Sequence, residues 1–448
     1  MEKLTLFLPY FSEQSNPRCR TIDLLTIDKD GINPLQLRLH YPYFSKNLMG
    51  TIKIGLVGCG GRGGGAAWNA LNNEATKDVK LFAVADAFQN RVNGLADSFT
   101  KDFPNQTDLP PERRFVGLDC HEQLLKTDCD VVLLCQPPGF RPRAFQAAID
   151  SGKHVFAEKP VAVDAPGVRM FLESNAKAKR NKQVVVVGHH LRFEQKHIEP
   201  IKMLHDGVIG DLLYVRIFFN DAGIWVRPRR EDMTEMQFQV NNWYHFNWLS
   251  GDHIVEQHVH DIDVMNWFTG DNHPIEANGM GGRTVRPTNL SEIFDYHSVE
   301  YTFENGVRGI SQCRQIPGCW NSFSEHAYGT KGHIDIEGHG IARLFVKGKE
   351  PQVWQRNTIG HQVEMDVMFD AIVNGKELNM GDMGATATLT AVLGRMATYS
   401  GKVVTWDTAM NSQLDSFPQH MSWDADPGPK PDANGNYPCA VPGVTAAW

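Results

Sequence analysis

The segment Thr51-Ile52-Lys53-Ile54-Gly55-Leu56-Val57-Gly58-Cys59-Gly60-Gly61-Arg62-Gly63 is an apolar run that leads straight into a Gly-x-Gly-x-x-Gly turn. From Gly64 to about Ala75 the pattern becomes helical. Strand, glycine turn and helix in that order suit a nucleotide pyrophosphate, and this narrows what the chain can fold into. Gly58 permits the tight turn, Gly60 lets backbone approach the phosphates, and Gly63 lets the helix pack on the strand while its first N–H groups face the anion. Gly61 and Arg62 complete the cradle. A second apolar run, Lys80 to Ala85, ends at Asp86, 23 residues past Gly63, close to the roughly 20 expected of an acid that binds the adenosine ribose. A carboxylate there bonds the 2′-hydroxyl of NAD and repels the 2′-phosphate of NADP, so NAD is the preferred cofactor. Arg91 keeps NADP as the alternative.

Beyond the turn, strand-like and helix-like stretches alternate. Strands are predicted over Lys80–Asp86, Val131–Pro137, His154–Ala157 and Gln183–Gly188, and helices near Asn90–Phe103, Arg141–Ser151 and Ala165–Lys182. This alternation predicts an α/β fold, a doubly wound parallel sheet of the Rossmann type over residues 51–188. From His189 the character changes to an edge strand near Leu212–Asn220, a Trp-rich region and a helix near Ile254–Phe268. Several strand-like runs follow between Glu276 and Trp354, then helices over His361–Asn374 and Met383–Ser400. Residues 189–405 therefore read as a second, α+β domain, with its late helices able to pack back on the first. Residues 406–448 read as a C-terminal tail, Pro/Gly-rich from Asp424 and expected as an arm or disordered end. Residues 1–50 read as a poorly ordered extension, with a start of synthesis at Met49 as a separate hypothesis.

Composition excludes several classes. The 448 residues are enough for two cores, with 42% apolar and 21% charged residues and a mean hydropathy of −0.35. No apolar run approaches the roughly 18 residues that would span a bilayer. A formal charge of −8 gives no basic field for nucleic acid. The eight cysteines lack any Cys-x-x-Cys pair, so neither a disulfide framework nor a cysteine zinc site is suggested. The first residues lack a basic region and a small-residue cleavage site. Cytoplasmic localisation is the expectation.

The strand His154–Ala157 runs into Glu158-Lys159-Pro160. Ligands of open α/β sheets sit beyond the carboxyl ends of the strands, so Lys159 falls near the nicotinamide end of a dinucleotide. It can stabilise a developing alkoxide there, although a lone lysine at a strand end is ordinarily a surface residue. Taken together, the Gly-Cys-Gly-Gly-Arg-Gly turn and Glu-Lys-Pro about 100 residues later resemble the Gfo/Idh/MocA family of oxidoreductases, over roughly residues 51–400. The resemblance implies an N-terminal Rossmann domain and a C-terminal domain with a large open, mostly antiparallel sheet, often used to form dimers or tetramers. It implies that Lys159 lies beside nicotinamide and substrate, and that Glu158, Gln136 and Pro137 contact the cofactor. His190 and Arg192 follow the last Rossmann strand, where the family often places substrate or cofactor contacts.

Within Ser250 to Asp263, Glu256 and His260 stand four apart, so on one helix they share a face and can pair as a base with an orienting carboxylate. The family pattern is Asp, then His four residues on, then Asp three further. His260 and Asp263 fit it, while Glu256 replaces the customary Asp. A rival reading takes His253, Glu256, His258 and His260 as zinc ligands, but no His-Glu-x-x-His spacing is present. No metal is expected. Trp225, Phe238, Trp243, Tyr244, Phe246 and Trp248 crowd one stretch; Trp243 and Tyr244 are candidate sugar-stacking residues, with core packing as the alternative. Arg227, Arg229 and Arg230 are candidates for a carboxylate or phosphate.

These residues predict hydride transfer between NAD and a hydroxyl of a sugar, polyol or derivative, with His260 moving the proton, Lys159 on the oxygen and Glu256 assisting. Two alternatives remain: an NAD-dependent glycosidase that oxidises its sugar transiently, and a non-catalytic NAD-binding protein. A small carbohydrate-like substrate and a homo-oligomer, dimer or tetramer, are the expected partners.

Overall fold

The computed structural model describes residues 22–28, 31–37, 50–338 and 340–448. Strands β1 (Ile22–Asp28) and β2 (Gly31–Leu37) pair antiparallel as a ribbon. The remainder of residues 1–49, on which the expectations of a poorly ordered extension and of a start at Met49 fall, lies outside the described residues.

Residues 50–448 form one unit built on two sheets. The first contains β3 (Ile52–Val57), β4 (Val79–Asp86), β5 (Arg114–Val116), β6 (Val131–Leu134), β7 (His154–Ala157) and β8 (Val185–Val187). All pairs are parallel and the order is β5-β4-β3-β6-β7-β8. Counted from β3 this is the 3-2-1-4-5-6 order of a Rossmann sheet, in which the order of strand addition reverses between β3 and β6 and opens a crevice there. Apolar residues on both faces of β6 and β8 are wholly buried, as a parallel sheet covered on both sides requires. The helix Ala165–Arg180 shows how locally these elements are specified. Asp164 accepts a hydrogen bond from the Gly167 N–H at 2.9 Å, and Lys177, Lys179 and Arg180 occupy its last turn, where the helix dipole favours cations.

The second sheet holds β9 (Leu212–Asp221), β10 (Glu276–Gly282), β11 (Tyr296–Thr302), β12 (Arg308–Gln315), β13 (Ser322–Gly329), β14 (Gly332–Glu337), β15 (Ala342–Val346), β16 (Gln352–Trp354) and β17 (Val404–Thr405). The order is β16-β15-β14-β13-β9-β12-β11-β10-β17, antiparallel throughout except that β9 runs parallel to β12. The expected edge strand at Leu212–Asn220 is thus corrected: β9 sits at the centre. The edges fall instead to β16 and β17, three and two residues long, lengths that leave few unpaired N–H and C=O groups.

Two late helices join the halves. Gly381–Ser400 is buried nearly all round and packs against both the helix Ala165–Arg180 and strands β10 and β11, which explains why its sequence shows no polar stripe. Gly360–Asn374 packs on the helix Gly61–Leu71, and its Met365, Met368 and Phe369 complete the core around Ile52, Ile54 and Leu56. The Pro/Gly-rich tail, expected as an arm or disordered end, lies against the body and buries Tyr437 beside Phe238 and Phe246. Trp248 is central to this third cluster: its ring meets Phe140 of the Rossmann half and Phe417 of the tail, and its indole N–H donates to Gln239 Oε1 at 2.7 Å. Trp248→Ala should cost about 3–5 kcal/mol, read as a lowered midpoint in urea unfolding with an unchanged slope.

Candidate active site

The glycine turn after β3 is close-packed. Gly58 has φ +98°, and a Cβ there would lie 2.6 Å from the Gln136 nitrogen. A Cβ on Gly63 would lie 1.8 Å from the Gly58 carbonyl oxygen. The helix Gly61–Leu71 starts without a side-chain cap and without an acid in its first turn, so its leading N–H groups are unclaimed and attract an anion. They open on a cavity of about 490 Å³, within the range of small-ligand sites. Asp86 lines it, and its carboxylate accepts from the N–H groups of Cys59 at 2.8 Å and Phe88 at 3.0 Å. Gln136 and Pro137 line it across the crevice. Both polar atoms of the Gln136 amide are buried without a protein partner, which fits a site that a polar ligand completes. Arg141, missed from sequence, holds this loop: it donates to the carbonyls of Leu134 at 3.4 Å, Gln136 at 2.5 Å, and Pro160. Burial pulls its guanidinium down to about 10.

A second missed feature is the ion network at the cradle's base. Arg62 pairs with Glu158 and, at 3.0 Å, with Glu364 on the late helix Gly360–Asn374. Burial pushes Glu158 up, but the charges of Arg62, Lys159, His361 and Arg141 outweigh it and hold the carboxyl below its ordinary value. Burial raises Glu364.

At the far end of the cavity, Lys159 Nζ donates to the Glu256 carbonyl at 2.6 Å and approaches its Oε1 at 3.1 Å. This corrects the expected Glu256–His260 pairing. The helix predicted over Ile254–Phe268 breaks into His253–Glu256 and Val259–Phe268, and the Glu256 carboxylate binds the lysine. His260 instead joins three other imidazoles. Its ring lies 4.8 Å from His190 and 6.2 Å from His189, and His190 stacks on His361 at 4.0 Å. Burial, followed by the charges of Lys159 and these histidines, drives His260 well below the ordinary imidazole range.

Residues 52–189 match a family described as "Oxidoreductase family, NAD-binding Rossmann fold", and residues 201–335 match the "GFO/IDH/MocA C-terminal domain". The chain is 30% identical to an inositol 2-dehydrogenase of Rhizobium meliloti over 292 residues, 64% of this chain and 76% of the relative. The chain belongs to the Gfo/Idh/MocA oxidoreductases. Among solved structures it resembles a Caulobacter crescentus aldose-aldose oxidoreductase complexed with glycerol, with a TM-score of 0.63 at 17% identity, covering 79% of this chain and 99% of that one. A levoglucosan dehydrogenase in complex with NADH and levoglucosan gives the same TM-score at 16% identity, with the same coverage. These two show the fold.

Of the other expected contacts in this oxidoreductase, Trp243 lines the cavity with Trp225 and Arg227. Tyr244 does not. It is buried, and its hydroxyl donates to Gln257 Oε1 at 3.0 Å while accepting from Gln315. Arg192 is likewise turned away, forming a two-pronged pair with Asp263 at 2.7 and 2.9 Å and a further bond to Asp271. The four residues of the zinc alternative are not brought together: His258 bonds Asp261 at 3.2 Å and Ser311 at 2.8 Å. A different trio, Asp252, His253 and His297, places donor atoms within 4.8 Å of one another, but the Asp252 carboxylate is already claimed by His253, the Phe294 N–H and the Tyr399 hydroxyl. Arg229 is bound to Glu235 and Tyr437, and Arg230 to Asp232.

Burial lowers His189, His190, His258 and His260 together. Below about pH 6.5 the unfolded chain protonates these sites and the folded chain does not, so stability falls as pH drops. Above about pH 7 both states are neutral there and the loss vanishes. Thermal unfolding across this range should show that slope, and His260→Gln should make it shallower.

Proposed function

We propose that this oxidoreductase transfers hydride between NAD and a CH–OH carbon of a polyol or sugar-derived substrate. One observation carries the reading: the glycine cradle and the Lys159–His260 pair open on the same cavity. A bound dinucleotide supplies the hydride acceptor or donor. The cradle and the start of the helix Gly61–Leu71 would hold its diphosphate, and Asp86 would take the ribose hydroxyls, which favours NAD over NADP. Gln136 offers its unpartnered amide to the nicotinamide half.

Lys159 donates to the substrate oxygen and stabilises negative charge as the O–H bond weakens. Glu256 grips the lysine from its far side and so fixes its direction. His260 is neutral at physiological pH, as a general base must be. Its Nδ1 is buried without a hydrogen-bond partner, and the ring lines the cavity, where it takes the hydroxyl proton. The nearby Lys159 charge disfavours the imidazolium, so the proton is readily returned, and ketone reduction follows the same path backwards. The inositol 2-dehydrogenase likeness supports a cyclic polyol as substrate, and the cavity's Trp225 and Trp243 supply apolar faces for such a ring.

Lys159→Ala should lower turnover by about 10²–10⁴-fold, with dinucleotide binding retained by fluorescence titration. Undiminished turnover in that variant would remove Lys159 from the mechanism. Substrate is found by screening inositols, sugars, sugar acids and aryl glycosides while following NADH absorbance and released aglycone together. Aglycone release without net NADH change would replace this reading with the glycosidase one.

A further inference from the structure

Two cations line the cavity beside the glycine turn, and one of them, Arg91, lies within electrostatic reach of the Asp86 carboxylate. Arg91, at the start of the helix Gln89–Asp102, reaches over the glycine turn, its Nη1 lying 3.2 Å from a Cβ built on Gly60. Arg227 comes from the other side, from the irregular segment after β9. Both line the cavity. Among the described residues neither forms an ion pair; Arg91 lies over the Phe88 ring at 5.8 Å and Arg227 over Trp225 at 3.9 Å. Burial lowers Arg227, and the charge of Arg91 lowers it further. Like charges held together beside a close-packed glycine turn are stabilised by an anion between them.

Arg227 is held in place from several directions. Its N–H donates to Asn242 Oδ1 at 2.8 Å, its guanidinium to the Asn241 carbonyl, and Asn242 returns a bond to the Arg227 carbonyl at 2.9 Å. The helix Glu235–Asn241 behind it carries a Thr234–Gln237 capping box. The tail straps that helix down: the Thr234 hydroxyl donates to the Trp423 carbonyl at 2.5 Å and Gln239 to the Pro429 carbonyl at 2.6 Å. Trp423 then packs on Phe88, two residues past Asp86, with ring centroids 5.5 Å apart. The segment carrying Arg227 is therefore anchored to the Rossmann half before any ligand arrives.

We infer that Arg91 and Arg227 form a two-sided clamp on the dinucleotide diphosphate, opposite the helix N-terminus, so that the second half of the chain closes the cofactor site. The inference rests on the dinucleotide-dependent reading above, and it makes the cofactor slow to leave.

The test titrates the full-length protein with NADH, NADPH, ADP-ribose and adenosine, following tryptophan fluorescence, and measures NADH release by stopped-flow displacement. R227A and R91A, on separate elements, should each weaken NADH and ADP-ribose by about tenfold or more and speed NADH release. Adenosine, which lacks the diphosphate, should bind all variants within about twofold of the wild type. R227K should lie between, because it keeps the charge without the fork. R230A, an exposed arginine already paired with Asp232, should match the wild type. The clamp is overturned if ADP-ribose binding is unchanged in R227A and R91A, if the loss is confined to NADPH, which would place the arginines on a 2′-phosphate, or if adenosine weakens equally. A wild-type protein that binds no dinucleotide overturns the oxidoreductase reading itself along with the clamp.

Discussion

Two buried carboxylates, Glu158 and Glu364, converge on the guanidinium of Arg62, and the site is arranged around that convergence. Arg62 stands in the first turn of the helix that begins the glycine cradle, Glu158 ends strand β7, and Glu364 comes from a helix some 200 residues further along. A carboxylate taken out of water is costly unless a cation meets it. Here both acids meet the same arginine, so three distant segments are tied at one point. Because Glu158 is pinned, its neighbour Lys159 leaves the strand in a defined direction, towards Glu256 and the cavity. The glycine cradle and the Lys159 end of the cavity are thus set by a single electrostatic knot.

The second half of the chain contributes more than a covering sheet. The Gly381–Ser400 helix wedges between the two sheets, and Val259–Phe268 delivers His260 to the mouth of the first. The aromatic segment after β9 and the tail beyond Met410 lock against Phe88 and Phe140 on the Rossmann side. Apolar packing therefore does for the Phe88 side of the cavity what the ion network does for the Lys159 side. Both make the cavity a built space, with its polar groups oriented and, in the case of Gln136 and His260 Nδ1, still lacking partners.

Local pattern made much of this legible. Strand β3, the turn at Gly58 to Gly63, the acid at Asp86 and the alternation through β8 are each specified by residues close together in the chain, and the structure brings them to the Rossmann order. Lys159 and His260 were likewise identifiable, one from its strand end and both from the family pattern. What was misread needed a partner distant in sequence. Strand β5 is three residues long, too short to show a period, and β9 resembled an edge because nothing in its own residues records that β12 and β13 flank it. Arg192 and Tyr244 read from the sequence as ligand contacts, whereas Asp263, Gln257 and Gln315 satisfy them within the protein.

By itself, then, the sequence determined the fold class and the glycine cradle and marked Lys159 and His260 as candidates, since backbone geometry, glycine sterics and strand-end position act over a few residues. Tertiary structure alone decided who holds whom. Glu256 serves Lys159 and not His260, His361 and Glu364 come from the late helix into the site, and Arg227 and Arg91 line one cavity. Those assignments depend on which charges and rings are brought within a few ångströms of each other after the chain has packed, and no spacing along the sequence encodes that distance.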